Sequence, residues 1–170
     1  GNTALSNMVM NGRFHLNDLS HHDLSDISYR VIAGIGEDQA IETHSVEFAP
    51  INYGVIMYQK TGLVFTYLKD YLGDALFDEC MRTFYSEWEF KHPQPEDLRE
   101  VLERVSKKDL GWLFDDLINT TNHIDYKVTK VKKHNDGFDV WVKNNGQVDG
   151  PIQVATMKQR AVLESKWVEP

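Results

Sequence analysis

The stretch that decides the fold runs from residue 52 to residue 73 and reads NYGVIMYQKTGLVFTYLKDYLG. Its apolar residues recur at helical spacing, which predicts an amphipathic helix. They are Val55, Tyr58, Phe65, Leu68 and Leu72. Gly73 stands where a helix commonly ends in a left-handed conformation, because glycine has no Cβ to oppose it. Asp74 is then predicted to be the N-cap of a second helix.

The residues that follow predict three more helices. The buried stripe of the helix after Asp74 comprises Phe77, Cys80, Met81, Phe84, Tyr85 and Trp88. Pro95 suits the first position of the next helix, whose apolar face comprises Leu98, Val101, Leu102 and Val105. Ser106, with Asp109 three residues later, is predicted to be the N-cap of a further helix. This last helix presents Leu110, Leu113, Phe114 and Leu117.

The two ends of the chain differ in pattern. A weak helical pattern covers Asn17 to Ala33, with Leu19, Ile27, Val31 and Ile32 as its apolar members, and a loop is expected from Gly34 to Pro50. After Asn122 the apolar period becomes two, with turn signals at 135–137 and 144–146, which predicts short antiparallel strands. We therefore expect an α+β fold: about four to five helices in a bundle-like subdomain, then a small antiparallel β meander. The expected domains are residues 1–122 and 123–170.

Composition excludes several classes of function. The chain has 170 residues and a formal net charge of −8, which disfavours nucleic-acid binding and anchoring to an anionic membrane. No apolar run approaches the roughly 20 residues needed to cross a bilayer. Cys80 lies on an apolar stripe and is expected to be a buried structural thiol. Gly1 is a typical remnant of tag removal, so we expect the sequence to be a piece of a longer protein.

Metal and phosphate motifs are weak in this sequence. No two of the seven histidines have three residues between them, as in HExxH, an arrangement that would place two ligands on one helix face. The run His21-His22-Asp23 contains ligand types, but adjacent side chains of a helix point about 100° apart. It is therefore interpreted as a solvated polar stretch, and no metal-ligating residue is assigned. Gly34-Ile35-Gly36 does not continue as GxGxxG, so a phosphate cradle is not expected.

A series of segments resembles one family of enzymes in order and spacing. The segments are 52–65, 67–74, 90–97, 105–114 and 125–128. Together they are similar to the gluzincin aminopeptidases, the M-one family of zinc metallopeptidases, with a weaker likeness reaching Lys166. In that family a Tyr-x-Lys-small segment opens a helix behind the zinc site, and Tyr58-Gln59-Lys60-Thr61 matches it with Thr61 in place of a smaller residue. The resemblance implies that the helices belong to the C-terminal part of a thermolysin-like catalytic domain.

The resemblance implies roles for individual residues. Tyr58 falls on the family's catalytic tyrosine, whose phenol donates a hydrogen bond to the oxyanion formed when water attacks the scissile carbonyl. A phenol suits this task because it is protonated at neutral pH. Tyr53 resembles a second tyrosine near the substrate pocket, and Lys60 matches the motif without a chemical role. The competing interpretation of Tyr58 is a core tyrosine with a satisfied hydroxyl.

Two features of the family are missing from this sequence. The sequence does not contain the family's zinc ligands, which are HExxH and a downstream glutamate. It also lacks the Gly-x-Met-Glu-Asn segment that recognises the substrate's amine in that family. We expect both upstream of Gly1, so the intact protein would hold zinc and cleave N-terminal residues from peptides, whereas this chain alone would be inactive. The alternatives are a non-catalytic scaffold or interaction module, and a peptidase that is not an aminopeptidase. The expected partner is a peptide substrate, with neither nucleic acid nor membrane.

Overall fold

A computed structural model describes residues 21–135, 137–159 and 161–170. The helices of this part of the chain are α1 (His21–Gly34), α2 (Pro50–Gly54), α3 (Thr61–Leu72), α4 (Asp74–Trp88) and α5 (Pro95–Ser106). The segments Val55–Lys60 and Trp112–Ile118 are π-helical, and Ser45–Glu47 is a 3-10 turn. The strands are β1 (Tyr126–His134), β2 (Gly137–Asn144), β3 (Ile152–Lys158) and β4 (Ala161–Val168). Five helices followed by two small antiparallel sheets confirm the predicted α+β class.

The chain divides into two compact units. One contains the described residues up to Tyr67 together with Ile118–Thr120, and the other contains the described residues of Leu68–Leu117 and Thr121–Pro170. The predicted domain boundary at residue 122 stays a prediction. The helix predicted from Asn17 is present as α1, while residues 17–20, including Leu19, lie outside the described residues.

The helical stretch from Pro50 to Leu72 is present, but its buried side differs from the predicted one. The buried residues recur at intervals of three and four and are Asn52, Ile56, Lys60, Val64, Leu68 and Tyr71. Only Leu68 belongs to the predicted stripe, and Tyr58 is exposed. The prediction was wrong because it placed only apolar and aromatic residues on the buried side, whereas the charged Lys60 faces inward and Tyr58 faces outward.

Helices α4 and α5 pack against each other in the second unit. The Cys80 sulfur lies 4.0 Å from the carbonyl oxygen of Leu102, and both residues are buried, which confirms the buried thiol. Burial raises the pKa of Cys80, so the thiol is held in its less reactive protonated form. Of the predicted α4 stripe, Tyr85 is exposed. Pro95 occupies the first turn of α5 as predicted, and the Asp97 carboxylate accepts a hydrogen bond from the Gln94 amide at 2.7 Å.

Two predicted N-caps are displaced in the structure. Gly73, with φ 81°, is the N-cap of α4, so Asp74 is the first helical residue, and its carboxylate lies 3.3 Å from the Lys69 ammonium. Ser106 is the last residue of α5 rather than the cap of the next helix. Asp109 lies closer to the start of the segment Trp112–Ile118, and its carboxylate accepts a hydrogen bond from the Gly111 amide at 2.8 Å. The Ser106 hydroxyl also accepts a hydrogen bond from an amide two residues on, that of Lys108, but Asp109 carries a negative charge next to the helix start, where such a charge is favourable.

The four strands form two hairpins, β1–β2 and β3–β4, each antiparallel. The turn predicted at 135–137 joins β1 to β2, although Asp136 lies outside the described residues. The turn at 144–146 follows β2 as predicted. A Cβ on Gly146 would lie 2.3 Å from the carbonyl oxygen of His123 and 2.7 Å from the Asp125 amide nitrogen. Glycine is required there because two backbone segments approach each other closely.

Candidate active site around Tyr58

Tyr58 lies in the middle of the π-helical segment Val55–Lys60 and is 69% exposed. Within the residues that the structure describes, its hydroxyl has no hydrogen-bond partner. A buried tyrosine of a protein core normally has its hydroxyl satisfied. Tyr58 therefore differs from the core interpretation in both exposure and hydrogen bonding.

Tyr58 ends a row of three aromatic rings, which we call the aromatic row. The Tyr58 and Tyr53 ring centroids are 6.2 Å apart with an interplanar angle of 75°. The Tyr53 and Phe48 centroids are 6.4 Å apart at 85°. Edge-to-face pairs of this kind each contribute roughly 0.5–1.5 kcal/mol. The row holds the rings of Tyr53 and Tyr58 next to each other, so the two tyrosines singled out from the sequence share one site.

Lys60, two residues after Tyr58, is buried on the other side of the same helical segment. It is 2% exposed, and its Nζ lies 3.6 Å from a carboxylate oxygen of Asp38. The ammonium also donates hydrogen bonds to the carbonyl oxygens of Gln39 at 3.2 Å and Thr120 at 3.3 Å. Its Nζ is 5.5 Å from the centroid of the Tyr29 ring. Burial without such partners would be prohibitively costly for an ammonium group.

The surroundings of Lys60 shift the pKa values of two residues. Desolvation by burial lowers the pKa of Lys60, and the Asp38 carboxylate opposes that shift. Burial, together with Asp38, raises the pKa of Tyr29 to about 12. The Tyr29 hydroxyl lies 3.5 Å from Asp38 and acts as its hydrogen-bond donor. Asp38 thus receives one contact from a phenol and one from an ammonium group.

Asn52 is a second buried polar residue of this unit. It is 1% exposed and donates through Nδ2 to the Glu37 carbonyl at 2.6 Å and to the Gln39 side-chain oxygen at 3.0 Å. The Gln39 amide also donates to the Glu47 carbonyl and accepts from the Ala49 amide, each at 3.0 Å. Residues 37–39 are consequently bound to the helical stretch that carries Tyr53 and Tyr58.

The described residues do not supply a zinc site. Among them, no group of three or more His, Cys, Asp or Glu side chains could hold a metal ion. The buried side-chain oxygens left without partners in this part of the chain are amide oxygens, those of Asn52 and Gln59. Zinc in proteins prefers thiolate, imidazole and carboxylate ligands. The donor set therefore does not fit zinc.

Sequence reasoning found the exposed half of this site and missed the buried half. It selected Tyr58 and Tyr53 through the resemblance, and it gave Lys60 no role. Asp38 and Gln39 belong to the loop in which no pattern was visible, and Tyr29 lies in a weakly patterned helix. The one available signal was the apolar side of the helix, on which Lys60 lies four residues from both Ile56 and Val64. A lysine at that register position indicates a buried ammonium that needs acceptors.

The part of the chain that contains most of this site also matches a known protein family. The model of the Peptidase family M1 domain matches residues 26–117, which is more than half of the sequence. The chain therefore belongs to peptidase family M-one, as the resemblance implied. Comparison with curated proteins gave no match, and neither did comparison with solved structures. Separately, no helix in the described ranges has the length and apolar character to cross a membrane.

Proposed function

We propose that this chain is part of a zinc metalloaminopeptidase that removes N-terminal residues from peptides, with Tyr58 as the oxyanion stabiliser. One observation carries the proposal: a tyrosine at the family's motif position is 69% exposed in a π-helical turn. Segments of π-helix occur frequently at functional sites. An exposed phenol can reach a substrate, which a core tyrosine cannot.

The proposed chemistry of Tyr58 is electrostatic. When a nucleophile attacks the scissile carbonyl, negative charge develops on the carbonyl oxygen. A neutral O–H donor already in position stabilises this charge more than it stabilises the uncharged substrate, and one such donor contributes about 3 kcal/mol. Tyr58 keeps its proton throughout this step. Tyr53, whose ring edge contacts Tyr58, is proposed to line the substrate pocket.

The zinc of the proposed enzyme would be bound by residues other than those the structure describes. We therefore derive no catalytic step through it. In this proposal the 170-residue chain alone is inactive, and the peptide is the expected partner of the intact protein. Membership of the peptidase family supports the hydrolytic chemistry, while the preference for N-terminal residues rests on the resemblance.

The test compares two tyrosine-to-phenylalanine variants of the full-length protein on an aminoacyl anilide. Tyr58→Phe is expected to retain its zinc and to lose about a hundredfold or more in kcat. Tyr85→Phe is the matched control, because Tyr85 has nearly the same exposure, 66%, but lies in α4 away from the motif. It should keep wild-type kcat.

The other outcomes separate the alternatives. Equal activity of Tyr58→Phe and wild type would refute the role of Tyr58. If the full-length protein had neither zinc nor activity on anilides or internally cleaved peptides, the non-catalytic scaffold would be the correct interpretation. Cleavage of internal peptide bonds alone would indicate a peptidase other than an aminopeptidase.

A further inference from the structure

We infer that Lys60 is a positioning residue for Tyr58: from the buried side of the helix it hydrogen-bonds the backbone carbonyls of Gln39 and Thr120 and so fixes the turn that presents the phenol. The inference rests on the proposed function of Tyr58. It concerns a residue that matches the family motif and that no chemical step requires. Four features of the described residues carry it: the burial of Lys60, its acceptors, the π-helical turn and a second anchor at Asn52.

The contacts of Lys60 reach two distant parts of the chain. Its acceptors belong to residues 21 and 60 positions away, Gln39 and Thr120. An ammonium group has three N–H donors, and Lys60 has three oxygen neighbours: these two carbonyls and the Asp38 carboxylate. All three donors can therefore be directed at fixed oxygens. A buried methionine or leucine would fill similar space at less cost in desolvation but would impose no such geometry.

The turn between Tyr58 and Lys60 depends on this geometry. The segment Val55–Lys60 is π-helical, and the Thr61 amide bonds the Ile56 carbonyl, five residues back. The Thr61 hydroxyl donates to the same carbonyl at 3.0 Å. Residues two apart in a helix point to nearly opposite sides. Holding Lys60 inward thus turns Tyr58 outward.

Asn52 anchors the other end of the same stretch. It precedes Tyr53 by one residue, and its Nδ2 binds Glu37 and Gln39. Lys60 binds Asp38 and Gln39. Both ends of the stretch 52–60 are therefore tied to residues 37–39. The two tyrosines lie between these anchors and are exposed on the far side, where the described contacts of their side chains are those between the rings.

A double-mutant cycle on the full-length protein tests the inference. Lys60→Met keeps the length of the side chain and removes its charge. It should lower kcat on an aminoacyl anilide by about tenfold to a hundredfold, with KM nearly unchanged, because displacement of a catalytic group by about 1 Å can cost a hundredfold. In the Tyr58→Phe background the same substitution should have no further effect, since the positioned hydroxyl is already gone. Lys69→Met, a half-exposed lysine of α3, is the control and should leave kcat unchanged.

Each other outcome has a defined meaning. If Lys60→Met leaves kcat unchanged, or lowers it by the same factor in both backgrounds, the inference is wrong while the proposed function stands. If Tyr58→Phe itself has no effect, the proposed function fails and the inference fails with it. Should Lys60→Met not fold, Asn52→Ala replaces it in the cycle. The same coupling to Tyr58→Phe is then expected, and an equal effect in both backgrounds refutes the inference.

Discussion

Lys107 ends helix α5 in the left-handed conformation, with φ 59° and ψ 27°. Its amide donates to the Glu103 carbonyl at 2.9 Å, a bond that any residue type can make. The side chain is exposed, and within the described ranges it has no partner. A residue with a Cβ costs about 1–2 kcal/mol in this conformation, whereas glycine adopts it freely and costs about 0.5–1 kcal/mol in chain entropy. Lys107→Gly should therefore stabilise the protein by about 0.5–1 kcal/mol.

The control for Lys107→Gly lies in the same helix. Glu100 is exposed in the middle of α5, so Glu100→Gly introduces the same residue where the backbone is helical. It should destabilise by about 1 kcal/mol. Urea unfolding followed by tryptophan fluorescence measures both variants, and we expect their midpoints on opposite sides of wild type. If both glycine variants are destabilised to the same extent, Lys107 does not occupy the left-handed conformation and the reasoning is refuted.

Two further predictions concern pH and metal content. The Tyr71 hydroxyl and the Lys108 ammonium both hydrogen-bond the Glu169 carboxylate and lower its pKa from 4.5. At a pH between the two pKa values, the folded state therefore binds fewer protons than the unfolded state. The stabilisation by these two contacts is fully present above pH 4.5 and is lost as pH falls through the folded-state pKa of Glu169. Glu169→Gln should be destabilised relative to wild type at pH 7, and urea unfolding should show the difference shrinking towards pH 3; a constant difference would contradict the shift. The 170-residue chain should retain no catalytic zinc after dialysis and should not hydrolyse an aminoacyl anilide; near-stoichiometric zinc with peptidase activity would overturn the proposed inactivity.

Local signals predicted α5 correctly. Pro95 fixes the backbone at the first turn, and the apolar residues repeat at one period over the whole helix. Both signals act within a few residues of the positions they determine. The turn at Gly146 also has a local signal, Asn-Asn-Gly, and the close approach of His123 and Asp125 to this position demands glycine there. Such elements can be predicted from sequence because the deciding contacts are local or demand one residue type.

The buried side of the Tyr58 helix could not be predicted in this way. Hydrophobic periodicity assigns a tyrosine to the core and a lysine to the surface, whereas Tyr58 is exposed and Lys60 is buried. The difference arises because Gln39 and Thr120 supply carbonyl acceptors from distant parts of the chain. The pattern in residues 52–73 places Lys60 in register with Ile56 and Val64, but it does not identify the acceptors that allow the lysine to be buried. The resemblance nevertheless selected Tyr58. A family motif reflects constraints that arise from long-range contacts, whereas the hydrophobic periodicity of one segment does not.

The π-helical turn at Val55–Lys60 also determines what the deletion of one residue would do to this site. Such a turn corresponds to one extra residue within an otherwise regular helix. Because the wider turn absorbs that residue, removing Gln59 would restore ordinary spacing and leave the two flanking halves of the helix in nearly their present orientation. Asn52 and Lys60 would still face residues 37–39, whereas Tyr58 would come directly before Lys60 and lie about 100° from it around the helix axis. The extra residue is thus a local spacer: it allows Tyr58 to face away from Lys60 without changing the phase between the start of the helix and α3.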